Sequence, residues 1–126
     1  MCVCVVAGSA AFAAGAFAAT GGVIVSDQND CAVGPTNVNV LSPGQTAYVW
    51  LIFNSPITVQ GYTYEVTGTN NGFDSGILKI RFNECRKVNV NDWVAKFRTP
   101  TAPGGYTLTV FDATGAKVSS DNFTIV

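Results

Sequence analysis

The chain divides into two parts that differ in how apolar residues are distributed. The first 26 residues contain no charged side chain, and residues 2–19 form an Ala-rich apolar run (CVCVVAGSAAFAAGAFAA). From there to the C-terminus, short groups of β-branched and aromatic residues alternate with turn residues. This change of pattern predicts an apolar N-terminal assembly segment over residues 1–25 and a β domain over residues 26–126.

The β domain is predicted to contain seven or eight short strands, and no helical pattern follows residue 25. This arrangement predicts an all-β, immunoglobulin-like Greek-key sandwich, with a jelly roll or a small barrel as the alternative. The candidate strands are residues 36–41, 45–53, 57–66, 77–82, 87–90, 93–97, 106–111 and 117–126.

Three parts of this pattern carry more specific predictions. Val38 and Val40 alternate with Asn residues, which predicts a half-buried strand. The nearly continuous apolar run around Trp50 predicts the central strand of the core. Asn71-Gly72, between two apolar runs, is a strong hairpin signal.

The end of the chain resembles that of many prokaryotic immunoglobulin-like surface domains. The resemblance rests on residues 103–110 (PGGYTLTV), the turn residues 112–115 (DATG) and the closing strand. It implies that Tyr106 opens the penultimate strand as a tyrosine corner and that residues 117–126 form the last strand. It implies a fold and says almost nothing about activity.

Three interpretations of the N-terminal segment compete. Small residues around Ala16-Phe17-Ala18 fit the cleavage site of a signal peptide, but no Lys or Arg precedes the apolar stretch. A transmembrane anchor is long enough, but the segment is weakly apolar and lacks basic flanking residues.

The third and preferred interpretation is a helix that packs against copies of itself. Small residues spaced four apart form a ridge that lets helix backbones approach closely, and larger apolar residues fill the gaps beside it. A variant has residues 2–6 or 23–25 donated as a strand to a neighbouring subunit. Helix is preferred for residues 5–19 because Ala is a good helix former and a poor strand former. The ridge consists of Ala7, Ala11, Gly15 and Ala19, and the filling residues are Val6, Phe12 and Phe17.

Composition and charge exclude several classes of function. Charged residues make up only 12% of the chain and the net charge is −1, so we expect no nucleic-acid binding. The sequence contains no His, which removes His-dependent catalytic triads and His-ligated metals. Neither Glu65 nor Glu84 lies in a recognisable glycosidase context. We therefore predict no enzymatic activity and no cofactor.

The chain has four cysteines. An even number in an exported chain suggests disulfide bonds, and we predict a bond between Cys31 and Cys85, with two separate buried thiols as the alternative. Cys2 and Cys4 are too close in sequence to pair with each other easily. They are expected to be thiols facing lipid or a core, or to form bonds between subunits.

Three further groups of residues could form sites. Residues 27–30 and the group Asn70, Asn71 and Asp74 carry oxygens that could bind Ca²⁺, but polar turns are the preferred interpretation. Tyr62 and Tyr64 could stack on a sugar, although packing within the sandwich is preferred. Asn122-Phe123-Thr124 is an N-glycosylation sequon, which requires Asn122 to face outward.

These observations favour a structural subunit of a homopolymeric, extracellular, pilus-like filament on the cell surface. The layout of an apolar N-terminal segment before a β-sandwich is similar to that of archaeal type IV pilins and archaellins. The resemblance implies self-association through the N-terminal segment, with contact with a membrane before assembly. The alternatives are a secreted or surface-anchored adhesin or carbohydrate-binding module with a glycan or host-surface ligand, and a virion structural or decoration protein.

Overall fold

A computed structural model describes residues 22–53, 58–85 and 92–126. This part of the chain is all-β and has no α-helix. It accordingly holds no helix with the length and apolar character needed to cross a membrane.

The described residues form nine strands, one or two more than the pattern predicted. Two of them, Gly22–Ser26 and Asn83–Cys85, have no counterpart among the predicted strands, and they are the two edge strands of one sheet. The strands are β1 (Gly22–Ser26), β2 (Val40–Leu41), β3 (Thr46–Ile52), β4 (Thr63–Gly68), β5 (Leu78–Lys79), β6 (Asn83–Cys85), β7 (Asp92–Arg98), β8 (Gly104–Phe111) and β9 (Lys117–Ile125).

The strands form two sheets that pack face to face. The four-stranded sheet has the order β1-β3-β7-β6, and the five-stranded sheet has the order β2-β9-β8-β4-β5. Neighbouring strands are antiparallel, except that β2 runs parallel to β9. β1 also contacts β9 of the other sheet, and the Val25 N–H donates to the Asp121 carboxylate at 2.8 Å. One side of the sandwich is therefore closed by β1 and β9.

Apolar and polar side chains alternate along the strands, and the apolar ones form the core between the sheets. In β8, Tyr106, Leu108 and Val110 point inward while Thr107 and Thr109 point outward. Each buried Leu or Val contributes roughly 1.5–3 kcal/mol through removal of its side chain from water. The most deeply buried members of this core include Val25, Val49, Leu51, Tyr106, Leu108, Val110 and Ile125.

Aromatic rings connect the two sheets at one end of this core. The Phe123 ring stacks on that of Tyr106 with centroids 5.6 Å apart, and meets Phe97 of β7 edge-on at 6.1 Å. Such pairs add roughly 0.5–1.5 kcal/mol beyond their buried area. The hydroxyl of Tyr106 donates to the carbonyl of Ala102 at 2.5 Å. Tyr106 thus lies in the penultimate strand and bonds back to the chain just upstream, as the resemblance implied.

Two predicted strands are much shorter in the structure. Of residues 36–41 only β2 is extended and paired; there Leu41 is buried, whereas Val40 is 53% exposed. The predicted burial of Val40 is therefore wrong. Of residues 77–82 only β5 pairs, and both of its residues are exposed. Both β2 and β5 are edge strands, which pair with a neighbour on one side only. The alternation of apolar and polar residues therefore predicts the length of these strands less well. The predicted strand 87–90 lies outside the described residues.

The described sandwich begins at Gly22, whereas the pattern placed the start of the domain at residue 26. Val23, Ile24 and Val25 pair with β3 of their own chain, and Val23 and Val25 fill the core between the sheets. In the structure, residues 23–25 are therefore part of the sandwich itself and not a strand donated to a neighbour.

Candidate functional site

The predicted disulfide bond is confirmed. Cys31 lies in the loop between β1 and β2, Cys85 ends β6, and their Cα atoms are 5.4 Å apart. The bond spans 54 positions of sequence and fixes the loop to the far edge strand of the four-stranded sheet. Cys2 and Cys4 lie outside the described residues.

The disulfide covers a second apolar cluster, on the outer face of the four-stranded sheet. Trp50 of β3 is its centre, with Cys85 and Val94 buried beside it and Ile24 and Tyr48 packed around it. Trp50 has no solvent exposure, and its indole N–H donates to the carbonyl of Gln28 at 3.0 Å. The apolar run around Trp50 did predict a central strand. Trp50 itself, however, faces away from the core between the sheets, because β3 is apolar on both of its faces.

Polar side chains hold the covering loop in place. The buried hydroxyl of Ser26 accepts the N–H groups of Gln28 and Thr36, at 3.3 and 3.2 Å. The carboxylate of Asp30 accepts the N–H of Ala32 at 2.9 Å, and the amide of Gln28 donates to the carbonyl of Gly34. Residues 27–30, one of the candidate calcium sequences, therefore act in the described structure as turn and loop formers.

The second candidate calcium group forms the hairpin between β4 and β5, as Asn71-Gly72 predicted. Gly72 has φ = 69°, a backbone conformation that Gly adopts readily. The amide of Asn71 accepts the N–H of Phe73 and donates to the hydroxyl of Tyr106 at 2.8 Å. The carboxylate of Asp74 accepts the N–H of Gly76 at 2.8 Å. Across the described ranges, no three His, Cys, Asp or Glu residues come together in a way that could hold a metal ion.

The carboxyl group of Glu65 has a raised pKa and lies beside the carboxylate of Asp74. Desolvation raises the pKa of Glu65 above its ordinary value, and a hydrogen bond with Asp74 and the charge of Asp74 raise it further. Catalytic acids often arise from such pairs in clefts. Glu65 instead faces outward from β4 next to Thr109, and neither carboxylate lines either of the two grooves described below. The pair therefore lies outside both of these grooves.

Tyr62, just before β4, and Tyr64, within it, pack inside the domain, which was the preferred interpretation. Tyr62 is only 5% exposed, and the ring of Tyr64 meets Phe97 edge-on at 6.2 Å. Burial raises the pKa of both hydroxyls, and for Tyr62 the charge of Asp112 adds to that effect. The sugar-stacking platform is thus not formed.

A groove of about 570 Å³ opens at the side of the sandwich opposite β1 and β9. Trp93 of β7 lines it, together with Gln60, Ile80, Arg81 and Phe82. The indole N–H of Trp93 is buried and has no hydrogen-bond partner among the residues that the structure describes. Sequence reasoning missed this groove, because its walls come from loops whose relative positions no local pattern encodes.

Asn122 faces outward, as glycosylation of the sequon requires. It lies in β9, exposed on the outer face of the five-stranded sheet, and the Thr107 hydroxyl donates to its amide oxygen at 2.8 Å. Beside it is a shallow groove of about 360 Å³.

The residues predicted to mediate assembly cannot be placed. All of them lie outside the described residues: Val6, Ala7, Ala11, Phe12, Gly15, Phe17 and Ala19. Comparison with models of known protein families gives no match, and comparison with curated proteins gives none either.

Proposed function

We propose that the β domain is an immunoglobulin-like Greek-key sandwich. Support comes from the strand order. Lettered along the chain as A, A′, B, C, C′, D, E, F and G, the strands β1 to β9 form the sheets A-B-E-D and A′-G-F-C-C′. Immunoglobulin domains of the constant type combine an A-B-E-D sheet with a C-F-G sheet. The hydrogen bond from Tyr106 to Ala102 supports the same assignment, because it has the position and direction of a tyrosine corner.

We further propose that the chain is the structural subunit of a homopolymeric, pilus-like filament outside the cell. One observation carries this proposal: an uncharged apolar segment precedes a sandwich whose core is already filled by its own side chains. An apolar segment of this length needs cover from water. Since the domain offers it no unfilled core, other copies of the same segment are the simplest cover.

The small residues of the segment suggest how the copies pack. On a helix, the ridge from Ala7 to Ala19 would let neighbouring backbones approach closely, while Phe12 and Phe17 fill the space beside it. A contact between two different surfaces of each subunit extends without closing and produces a filament. The sandwich domains would then lie on the outside of the assembly.

The disulfide bond supports a location outside the cytoplasm, since such bonds persist mainly in oxidising compartments. The alternative of a carbohydrate-binding module loses its first candidate site, because Tyr62 and Tyr64 pack inside the domain. No observation on the described residues favours a virion protein over a filament subunit.

Negative-stain microscopy of the full chain and of a variant lacking residues 1–21 tests the proposal. This deletion leaves β1 whole. We expect regular filaments from the full chain and separate particles from the shortened one. Regular filaments from both proteins would contradict the proposal.

A matched pair of substitutions tests the ridge itself. Ala11→Leu places a large side chain on the ridge, whereas Ala13→Leu makes the same change on the opposite side of the helix. Both substitutions add the same apolar surface. We expect Ala11→Leu to abolish or shorten the filaments and Ala13→Leu to leave them unchanged. Equal effects of the two would contradict packing through the ridge.

A further inference from the structure

The sequon at residues 122–124 is the only Asn-x-Ser/Thr sequence in the chain. It lies within β9, whose alternation separates its three side chains. Phe123 is 2% exposed and packs in the core, while Asn122 and Thr124 are exposed on the opposite face. The two residues that define the sequon therefore face solvent together.

The side chain of Asn122 is held in one orientation by its neighbour on β8. Thr107 and Asn122 are directly opposite in the register, and the Thr107 hydroxyl donates to Oδ1 of Asn122 at 2.8 Å. Nδ2 donates no hydrogen bond to any described residue. Because Oδ1 is the atom that faces Thr107, Nδ2 lies on the other side of the amide group.

The surface beside Asn122 is a shallow groove that offers both polar and apolar groups. It has a volume of about 360 Å³, and its lining includes hydroxyl and amide side chains, Gly105, and the aromatic residues Tyr106 and Phe123. Hydroxyl and amide groups form hydrogen bonds with sugar hydroxyls. The side chains that supply them are Asn39, Thr69, Thr107, Asn122 and Thr124.

From this geometry we propose that Asn122 carries an N-linked oligosaccharide. The donor is an oligosaccharide joined to a lipid pyrophosphate, and a membrane-bound transferase of the host catalyses the step. Nδ2 forms a bond to the anomeric carbon of the first sugar, and the bond from that carbon to the pyrophosphate oxygen breaks. The proton lost from Nδ2 is taken up by the departing lipid pyrophosphate.

The position of the sequon makes it accessible in the folded domain. Asn122 and Thr124 are exposed on the same outer face of β9, and the Thr107 hydrogen bond leaves Nδ2 of Asn122 without a partner among the described residues. Because Asn122 is exposed in the finished sheet, the modified chain folds to the same structure. The glycan then occupies the outer face of the five-stranded sheet and keeps that face in solvent. This inference does not depend on filament formation.

The test directs the full chain through the secretory pathway of a cell that performs N-glycosylation. Peptides are analysed by mass spectrometry before and after peptide-N-glycosidase, which removes the glycan and converts the modified Asn to Asp. Thr124→Ser preserves the sequon, whereas Thr124→Val and Asn122→Gln remove it. Asp112→Asn places a second sequon over residues 112–114, in the turn before β9, and serves as a control for the host enzyme.

We expect a glycan on the peptide containing Asn122 in the full chain and in the Thr124→Ser variant. Its loss is expected in the Thr124→Val and Asn122→Gln variants. The proposal is overturned if the Asp112→Asn variant is modified at position 112 while Asn122 stays unmodified in the same molecule.

Discussion

The outer faces of the two sheets differ sharply, although both sheets contribute equally to the core between them. The outer face of the four-stranded sheet is apolar around Trp50 and is covered by a loop that the disulfide bond fixes in place. The outer face of the five-stranded sheet carries Thr107, Thr109, Asn122 and Thr124, and none of the described segments covers it. The apolar outer face is thus shielded from water by a loop of the same chain, whereas the polar outer face is not.

The same physical requirement links the sandwich to the N-terminal segment. Removing a Trp side chain from water contributes up to about 4–6 kcal/mol, which explains why the loop over Trp50 stays in place. The 21 residues that precede β1 contain many more apolar side chains and no charged side chain. We infer that they too are covered, by other copies of the chain.

The largest effect is expected from Trp50→Ala, which removes the centre of the covered cluster. It should lower the free energy of unfolding by about 3–5 kcal/mol, as large-to-small changes of buried aromatic residues do. Thr109→Ala on the uncovered face should lower it by less than about 1 kcal/mol. Denaturation with guanidinium measures both. Similar losses from the two substitutions would remove the distinction between the faces.

Replacing both Cys31 and Cys85 by Ala tests the cover itself. The free energy of unfolding should fall by about 2–4 kcal/mol, mainly because the unfolded chain is no longer constrained. A Trp93→Phe background leaves Trp50 as the only indole, so its fluorescence reports the cover directly. We expect a shift of its emission to longer wavelength in the folded protein. An unchanged emission together with unchanged stability would show that the disulfide does not hold the loop.

A smaller effect is expected from two matched Thr→Val substitutions. Thr99 is buried, and its hydroxyl donates to the carbonyl of Ser42 at 2.8 Å and accepts the N–H of Gln45 at 2.9 Å. Thr99→Val should lower the free energy of unfolding by about 1–2 kcal/mol. Thr107→Val, on the uncovered face, should change it by no more than about 0.5 kcal/mol. If thermal unfolding shows the reverse order, the uncovered face contributes more to stability than its exposure implies.

The smallest effect concerns the turn between the last two strands of the uncovered sheet. Burial opposes ionisation of Asp112, but hydrogen bonds from the Thr114 hydroxyl and from the N–H groups of Ala116, Thr114 and Gly115 outweigh it and lower its pKa. A lowered pKa in the folded state stabilises the fold above the pKa of the unfolded chain, about 3.9. That stability is lost as the pH falls through the folded pKa. Asp112→Asn should therefore be less stable than the unchanged chain at neutral pH, and the two should converge in acid. A constant difference from pH 7 to pH 2 would show that ionisation of Asp112 is not involved.

Several parts of the fold could be predicted because their signals are local. The hairpin at Asn71-Gly72, the strand that contains Tyr106 and the final strand each have their own turn residues and alternation. The pairing of Cys31 with Cys85 followed from their being the two cysteines of the β region. These signals do not depend on which elements meet in three dimensions.

The direction in which Trp50 points could not be predicted, because β3 is apolar on both faces and alternation cannot choose between them. The lengths of the edge strands β2 and β5 were overestimated for a related reason. Their neighbours in space, not their own residues, determine how far they pair. The outward position of Asn122 likewise depends on the register that places Phe123 in the core.

The most direct test of the central claim is to ask what touches the N-terminal segment in the assembled protein. A photoreactive amino acid at position 12 is introduced into the full chain, which is assembled from an equal mixture of ¹⁵N-labelled and unlabelled copies. We predict crosslinks that join the N-terminal segments of labelled and unlabelled chains. Crosslinks only within one chain, between position 12 and residues 22–126, would contradict the claim that other copies cover this segment.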